Sequence, residues 1–306
     1  GDGVKINISN RKDLQGIDPV DFNLNSFSIA NKKGVDSILF PFRYFKFPVK
    51  VALDTEKVLP EIEVTDQSSF SIGDERYVLN SRLNIDLKKA GVFEVKMKIP
   101  ADYEIETLSA NGISHWDEVT KGAEKFAVLY FRNRIKGSLA VNTVLIKNAE
   151  KKSGDLSIPG IEVVDEKKHR GTLIISAEMG NRLEVKEKDG VGGMSLVNSG
   201  VMTFSILRKG WSLLLSREVL SSRIEVEYLQ SVNVSDNRYN VTLKSKVKVE
   251  NAGTKFLLLT APGDVQNPEI RGHDIAKTEK LGDNQWRIEF KRKIIGEHEL
   301  HLQYQS

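Results

Sequence analysis

The chain predicts an all-β protein: two tandem antiparallel β-sandwich domains related by an internal repeat, with very little helix. Three observations lead there. Apolar residues alternate with polar ones over short runs, turn residues part the runs at intervals of roughly ten residues, and the second half repeats the first in register.

The repeat is the most informative of the three. Phe42 aligns with Phe204, an offset of 204 − 42 = 162, which also carries Ile62-Glu63-Val64 onto Ile224-Glu225-Val226. Arg76-Tyr77 falls on Arg238-Tyr239, Ala90-Gly91 on Ala252-Gly253, and Pro100 and Asp102 on Pro262 and Asp264. Over 42–103 there are 14 identities in 62 positions without a gap. A three-residue deletion then reduces the offset to 159, and Phe131, Ile135 and Gly137 fall on Phe290, Ile294 and Gly296. The expected division is a first domain over 1–150 and a second over 151–306, joined by the polar stretch from Lys147 to Asp155.

Taken in order, strands are predicted at 4–8, 48–54 and 61–65. Leu83, Ile85 and Leu87 then alternate with polar residues, as do Phe93, Val95, Met97 and Ile99. Strands follow at 126–132, 139–146, 161–165, 172–178, 213–217 and 223–229. Leu243, Ser245, Val247 and Val249 turn one way and Lys244, Lys246 and Lys248 the other, before final strands at 286–291 and 298–304. Asn111-Gly112, Asp189-Gly190 and Gly282-Asp283 supply turn chemistry. Gly91 and Gly253 are expected to hold positive φ. Asp18 followed by Pro19 is the one helix start, good for a turn or two. The strand at 170–175 has no visible counterpart in the first copy, where it falls near or before residue 1, and that copy carries about fifteen extra residues around 25–41.

Composition narrows the function. The 45 basic and 42 acidic side chains of the 306 residues are interspersed and nearly cancel, to +3, so nucleic acid is not the expected partner. No run approaches 18 apolar residues, so no membrane span is expected. With no cysteine there is no disulfide and no thiolate chemistry. Gly1 reads as the start of a processed or excised piece.

The order of segments is an Arg170-Gly171 strand, an aromatic strand such as Phe42-Arg43-Tyr44, a strand after Pro or Ser, Ala90-Gly91, Pro100, then Phe131 to Gly137. It resembles the repeats of large, poorly characterised bacterial envelope proteins with extended β-rich extracytoplasmic regions. The resemblance implies a periplasmic or cell-surface module for binding or assembly. Its partners would be other envelope proteins or neighbouring repeats of the same chain, with polysaccharide as a further candidate. It supplies no catalytic residues.

No catalytic residue, metal site or cofactor is predicted. His115, His169, His273, His298 and His301 read as scattered surface histidines rather than a ligand set. Gly190 to Gly193 lacks the lysine and helix of a phosphate loop, and no Gly-x-Ser-x-Gly elbow occurs. The lysines at 244, 246 and 248 read as a solvated face. Among the aromatic residues, Phe40, Phe42 and Tyr44 share one face and are expected in the core, as are Trp211 and Trp286. Phe45 and Phe47 share the opposite face and, with Trp116, are the candidate ligand-binding residues. The leading expectation is a non-catalytic structural or interaction module. A carbohydrate-binding module would expose Trp116 or Phe47, and a hydrolase would need a cleft with strand-borne carboxylates.

Overall fold

The computed structural model describes residues 3–10, 14–18, 41–150, 152–197, 200–235, 238–261, 265, 268–282 and 284–305. Strands dominate, and no helix occurs among these residues. The helix expected at Asp18-Pro19 lies, from Pro19 onward, outside them, as does Phe40.

Four short strands come first: β1 (Val4–Asn10), β2 (Leu14–Gly16), β3 (Phe42–Tyr44) and β4 (Ala52–Lys57). They form two ribbons, β1 with β4 and β2 with β3. Next come β5 (Glu61–Ile72), β6 (Arg76–Ile99), β7 (Glu104–Ala110), β8 (Ile113–Lys121) and β9 (Glu124–Asn148). Here β6 lies between β5 and β9, while β7 and β8 both fold back on the long β9. Alternation decides which face is buried: Ile62, Val64, Phe70 and Ile72 of β5 point inward, as do Tyr77, Leu79, Leu83, Ile85 and Leu87 of β6.

The chain continues through β10 (Gly154–Ser157), β11 (Glu162–Val163), β12 (Glu166–Ala177), β13 (Asn181–Asp189), β14 (Val191–Val197), β15 (Val201–Ile206) and β16 (Ser212–Val219). β12 lies beside β5 in parallel, with Arg170 opposite Thr65, and β15 and β14 extend the sheet beyond it. β10, β16 and β13 make a separate three-stranded sheet. One core gathers these strands: Leu83, Leu129 and Val141 belong to the same cluster as Leu173, Phe204 and Leu215. The division expected at residue 150 therefore runs through this core. The reason is that β12 attaches to β5, about a hundred residues earlier, instead of to the strands that follow it. That contact is also the one parallel pairing among the described strands, reached by the long crossover that parallel strands require.

The last five strands are β17 (Arg223–Ser235), β18 (Arg238–Thr260), β19 (Glu269–Gly272), β20 (Ile275–Gly282) and β21 (Gln285–Gln305). They form their own sheet over a smaller core that includes Val247, Val249, Ile288, Phe290 and Leu300.

Strand registers match across the chain. Ile62 faces Leu87 as Ile224 faces Val249, and Leu87 faces Gly137 as Val249 faces Gly296. The irregularity at Leu87/Val92 has its counterpart at Val249/Thr254. At the front, Ile8 faces Leu53 as Val185 faces Leu215, with a register shift following Ile8 and Val185 alike. Leu14 faces Tyr44 as Val191 faces Ile206.

Gly91 and Gly253 do not hold positive φ, contrary to expectation. Lys89 and Asn251 do, at 64° and 66°, as do Gly137 and Gly296 at 88° and 82°. Glycine is needed at position 91 for space instead: a Cβ there would sit 2.8 Å from the Ile135 carbonyl oxygen. At Gly171 the demand is stronger, since a Cβ would come within 1.9 Å of the Asp66 carbonyl oxygen, where β12 presses on β5.

Candidate functional site

Three kinds of site stand out among the described residues: a sealed polar cluster, open clefts, and an exposed apolar face. The cluster sits between β5 and β12. His169 Nδ1 lies 3.0 Å from Glu166 Oε2 and its Nε2 lies 3.3 Å from Asp66 Oδ2. Ser68 Oγ donates to Asp66 Oδ1 at 2.5 Å, and Ser81 Oγ donates to the same oxygen at 3.3 Å. Burial pulls the His169 pKa down, but hydrogen bonds to Asp66 and Glu166, and their charges, outweigh it and raise it to about 9. The imidazolium thus donates to a carboxylate on each strand. No reactant reaches it, for the His169 side chain is 0% exposed. The serines touch Asp66 and not the imidazole, so the arrangement is a strap between strands and not a nucleophile–base pair. This corrects the reading of His169 as a surface histidine. The signal in the sequence was Asp66 and Ser68 standing at inward positions of an alternating strand.

A second buried cation, Arg217 on β16, donates to the Tyr77 hydroxyl at 2.7 Å and to the Glu150 carbonyl at 2.6 Å. It ties the three-stranded sheet to β6. Beside it opens a cleft of about 600 Å³ lined in part by Asp102, Glu150 and Asp155. Each of these carboxylates has a lysine partner: Lys147 at 2.5 Å, Lys152 at 3.4 Å and Lys186 at 2.6 Å respectively. The outer face of β5 and its neighbours holds a groove of about 560 Å³ whose lining includes Gln67, Asn80, Arg82 and Asn142 and no aromatic ring.

Of the predicted ligand-binding residues, Trp116 lies in β8 opposite Leu129 and packs against the main core, because its strand folds back on β9 rather than forming a loop. Phe45 and Phe47 are exposed, at 67% and 82%. They are not brought together with Trp116 in either cleft. Tyr44 is exposed too and Phe42 is half-buried, against the expected core placement, since no other described strand packs over their ribbon. Trp286 is buried, and Trp211 is half-buried over Gly160. The lysines at 244, 246 and 248 are exposed, with Glu227 and Glu299 flanking Lys246, and Glu225 and Glu297 flanking Lys248, on adjacent strands. No group of three or more histidine and acidic residues able to hold a metal occurs among the described residues.

The uncovered face belongs to β17. Ile224, Val226, Tyr228, Val232 and Val234 share one side of that strand and are all exposed. At the matching positions of β5, Ile62, Val64, Phe70 and Ile72 are buried beneath the β10–β16–β13 sheet and its neighbours.

No protein-family model matches the chain, and no curated protein does. Among solved structures it is similar to an M1 zinc metallopeptidase of Deinococcus radiodurans, at 7% identity and a TM-score of 0.35 over 60% of this chain and 48% of that one. A two-domain M1 zinc metallopeptidase bound to L-tryptophan aligns over the same shares at 8% identity and the same TM-score. The chain thus spans about half the length of these structures.

Proposed function

We propose that the chain is a non-catalytic structural and interaction module of a larger bacterial envelope protein, held in the periplasm or at the cell surface. The observation that carries this reading is β17, whose apolar row is exposed and which, among the described residues, pairs on one side only, with β18. Such a strand is a docking surface, because water gains nothing from an exposed Ile–Val–Tyr row and an open edge templates pairing. The matched registers support a further part of the reading, that one structural unit is used twice and that neighbouring units or other envelope proteins are its partners. The lysine-paired carboxylates of the 600 Å³ cleft favour structure over hydrolysis there.

The test is turnover by the purified chain on polysaccharides, esters and peptides. None is expected. Turnover that disappears in Asp102→Asn with Asp155→Asn would overturn the reading in favour of a hydrolase. A second reading, polysaccharide binding, rests on the exposed Phe45 and Phe47. It requires a glycan titration whose signal is lost in Phe47→Ala.

A further inference from the structure

The middle of the chain shows what covers a sheet of the β17 kind. There β16 and β13 lie over the sheet of β5 and β6, and Leu213 and Leu215 of β16 are sealed at 1% and 0% exposure. The β1–β4 ribbon repeats the β13–β16 ribbon in pairing and in its register shift. Its residues at the matching positions, Val51 and Leu53, stand exposed at 48% and 57%. Tyr44, which matches the buried Ile206, is exposed as well. Among the described residues, the β1–β4 ribbon thus presents the exposed counterpart of a covering layer, and β17 the exposed counterpart of a covered sheet.

We infer that the face of β17 and the start of β18 is covered by the β1–β4 layer of a second copy of this chain. This rests on the reading of the chain as an interaction module built from one unit used twice. In the assembly, Leu53 and Val51 of one copy share a core with Val226, Val232 and Tyr239 of the next, as Leu215 and Leu213 share the central core with Val64, Phe70 and Tyr77. The two surfaces differ, so each contact joins a cover on one copy to a sheet on the other.

Sedimentation equilibrium on the full chain tests this with two substitutions at exposed positions, Leu53→Asp and Val226→Asp, which leave the monomer fold intact. The wild type should rise above its 34.3 kDa monomer mass as concentration increases. Each variant alone should stay at 34.3 kDa, because each keeps one competent surface. An equimolar mixture should rise only to a dimer of 2 × 34.3 = 68.6 kDa, joined by the Val226→Asp cover and the Leu53→Asp sheet. A wild type that is monomeric up to about 1 mM overturns the inference, since even 4 kcal/mol of association would be visible there. So does self-association that persists in both variants, or a mixture that stays monomeric. Monomeric behaviour without turnover leaves the module reading standing, whereas turnover overturns that reading whatever the mass.

Discussion

The sealed histidine makes stability depend on pH in an unusual direction. The ordinary His pKa of 6.5 is raised to about 9 in the folded chain, so the folded state binds the proton more tightly. The stabilisation is fully present below pH 6.5, falls steadily above it, and is gone once the pH passes about 9. At 1.36 kcal/mol per pH unit, the rise from 6.5 to about 9 corresponds to about 3 kcal/mol. The perturbation is His169→Gln, which fits the space but leaves Asp66 and Glu166 without their shared cation. At pH 6 it should cost about 3 to 5 kcal/mol, as expected when one partner of a buried charged set is removed. At pH 9.5 wild type and variant should differ by about 3 kcal/mol less than at pH 6. Denaturant unfolding followed by near-ultraviolet circular dichroism at the two pH values gives both numbers. Equal wild-type stability at pH 6 and 9.5, or a variant deficit that does not shrink, would refute the charged-histidine argument.

Three further outcomes follow from the geometry. Gly171→Ala should destabilise the chain by about 3 kcal/mol or more in urea unfolding, because the new methyl group meets the Asp66 carbonyl on the adjacent backbone. Arg217→Met should cost about 3 kcal/mol and Tyr77→Phe about 1 kcal/mol by the same assay, since the first removes the buried donor to the Tyr77 hydroxyl, the Glu150 carbonyl and the Asn181 side chain, and the second removes only the acceptor that Arg217 shares with the Glu150 amide. Leu215→Ala should cost about 3 kcal/mol through its cavity, while Leu53→Ala at the matching position should cost the dilute monomer under about 0.5 kcal/mol.

The period of two placed a strand over 61–65, the first part of β5, and put Leu83, Ile85 and Leu87, and likewise Val95, Met97 and Ile99, on one buried face of β6, while β9 was expected as two strands over 126–132 and 139–146. The matching alternation in 224–234 looked identical and yet left its row in solvent. Alternation states which residues share a face; it does not state what lies opposite, which is decided by segments far away in the chain. For the same reason the attachment of β12 to β5 escaped prediction, since nothing local in 166–177 distinguishes a parallel partner a hundred residues back from an antiparallel one beside it. Trp116 was misplaced because His115-Trp116-Asp117 looks polar and loop-like, whereas β8 is a strand with its indole turned toward β9. The charged cluster left a readable trace, an aspartate on an inward row, but its histidine partner sits 103 residues away. The left-handed positions were missed by two residues, at Lys89 and Asn251 instead of at the glycines that follow.

Because the central core is built from strands on both sides of residue 150, its assembly on the ribosome is delayed. The sheet of β5 to β9 is complete once Asn148 has emerged, but the layer that seals it ends only at Val219, 219 − 148 = 71 residues later. At about 5–20 residues per second this interval lasts roughly 4 to 14 seconds. Throughout it, Leu83, Leu129 and Val141 lack the later strands that complete their cluster. A translational pause placed soon after Asn148 would lengthen that exposure and one placed after Val219 would not, so nascent-chain aggregation should respond to where a slow codon falls more than to how slow it is.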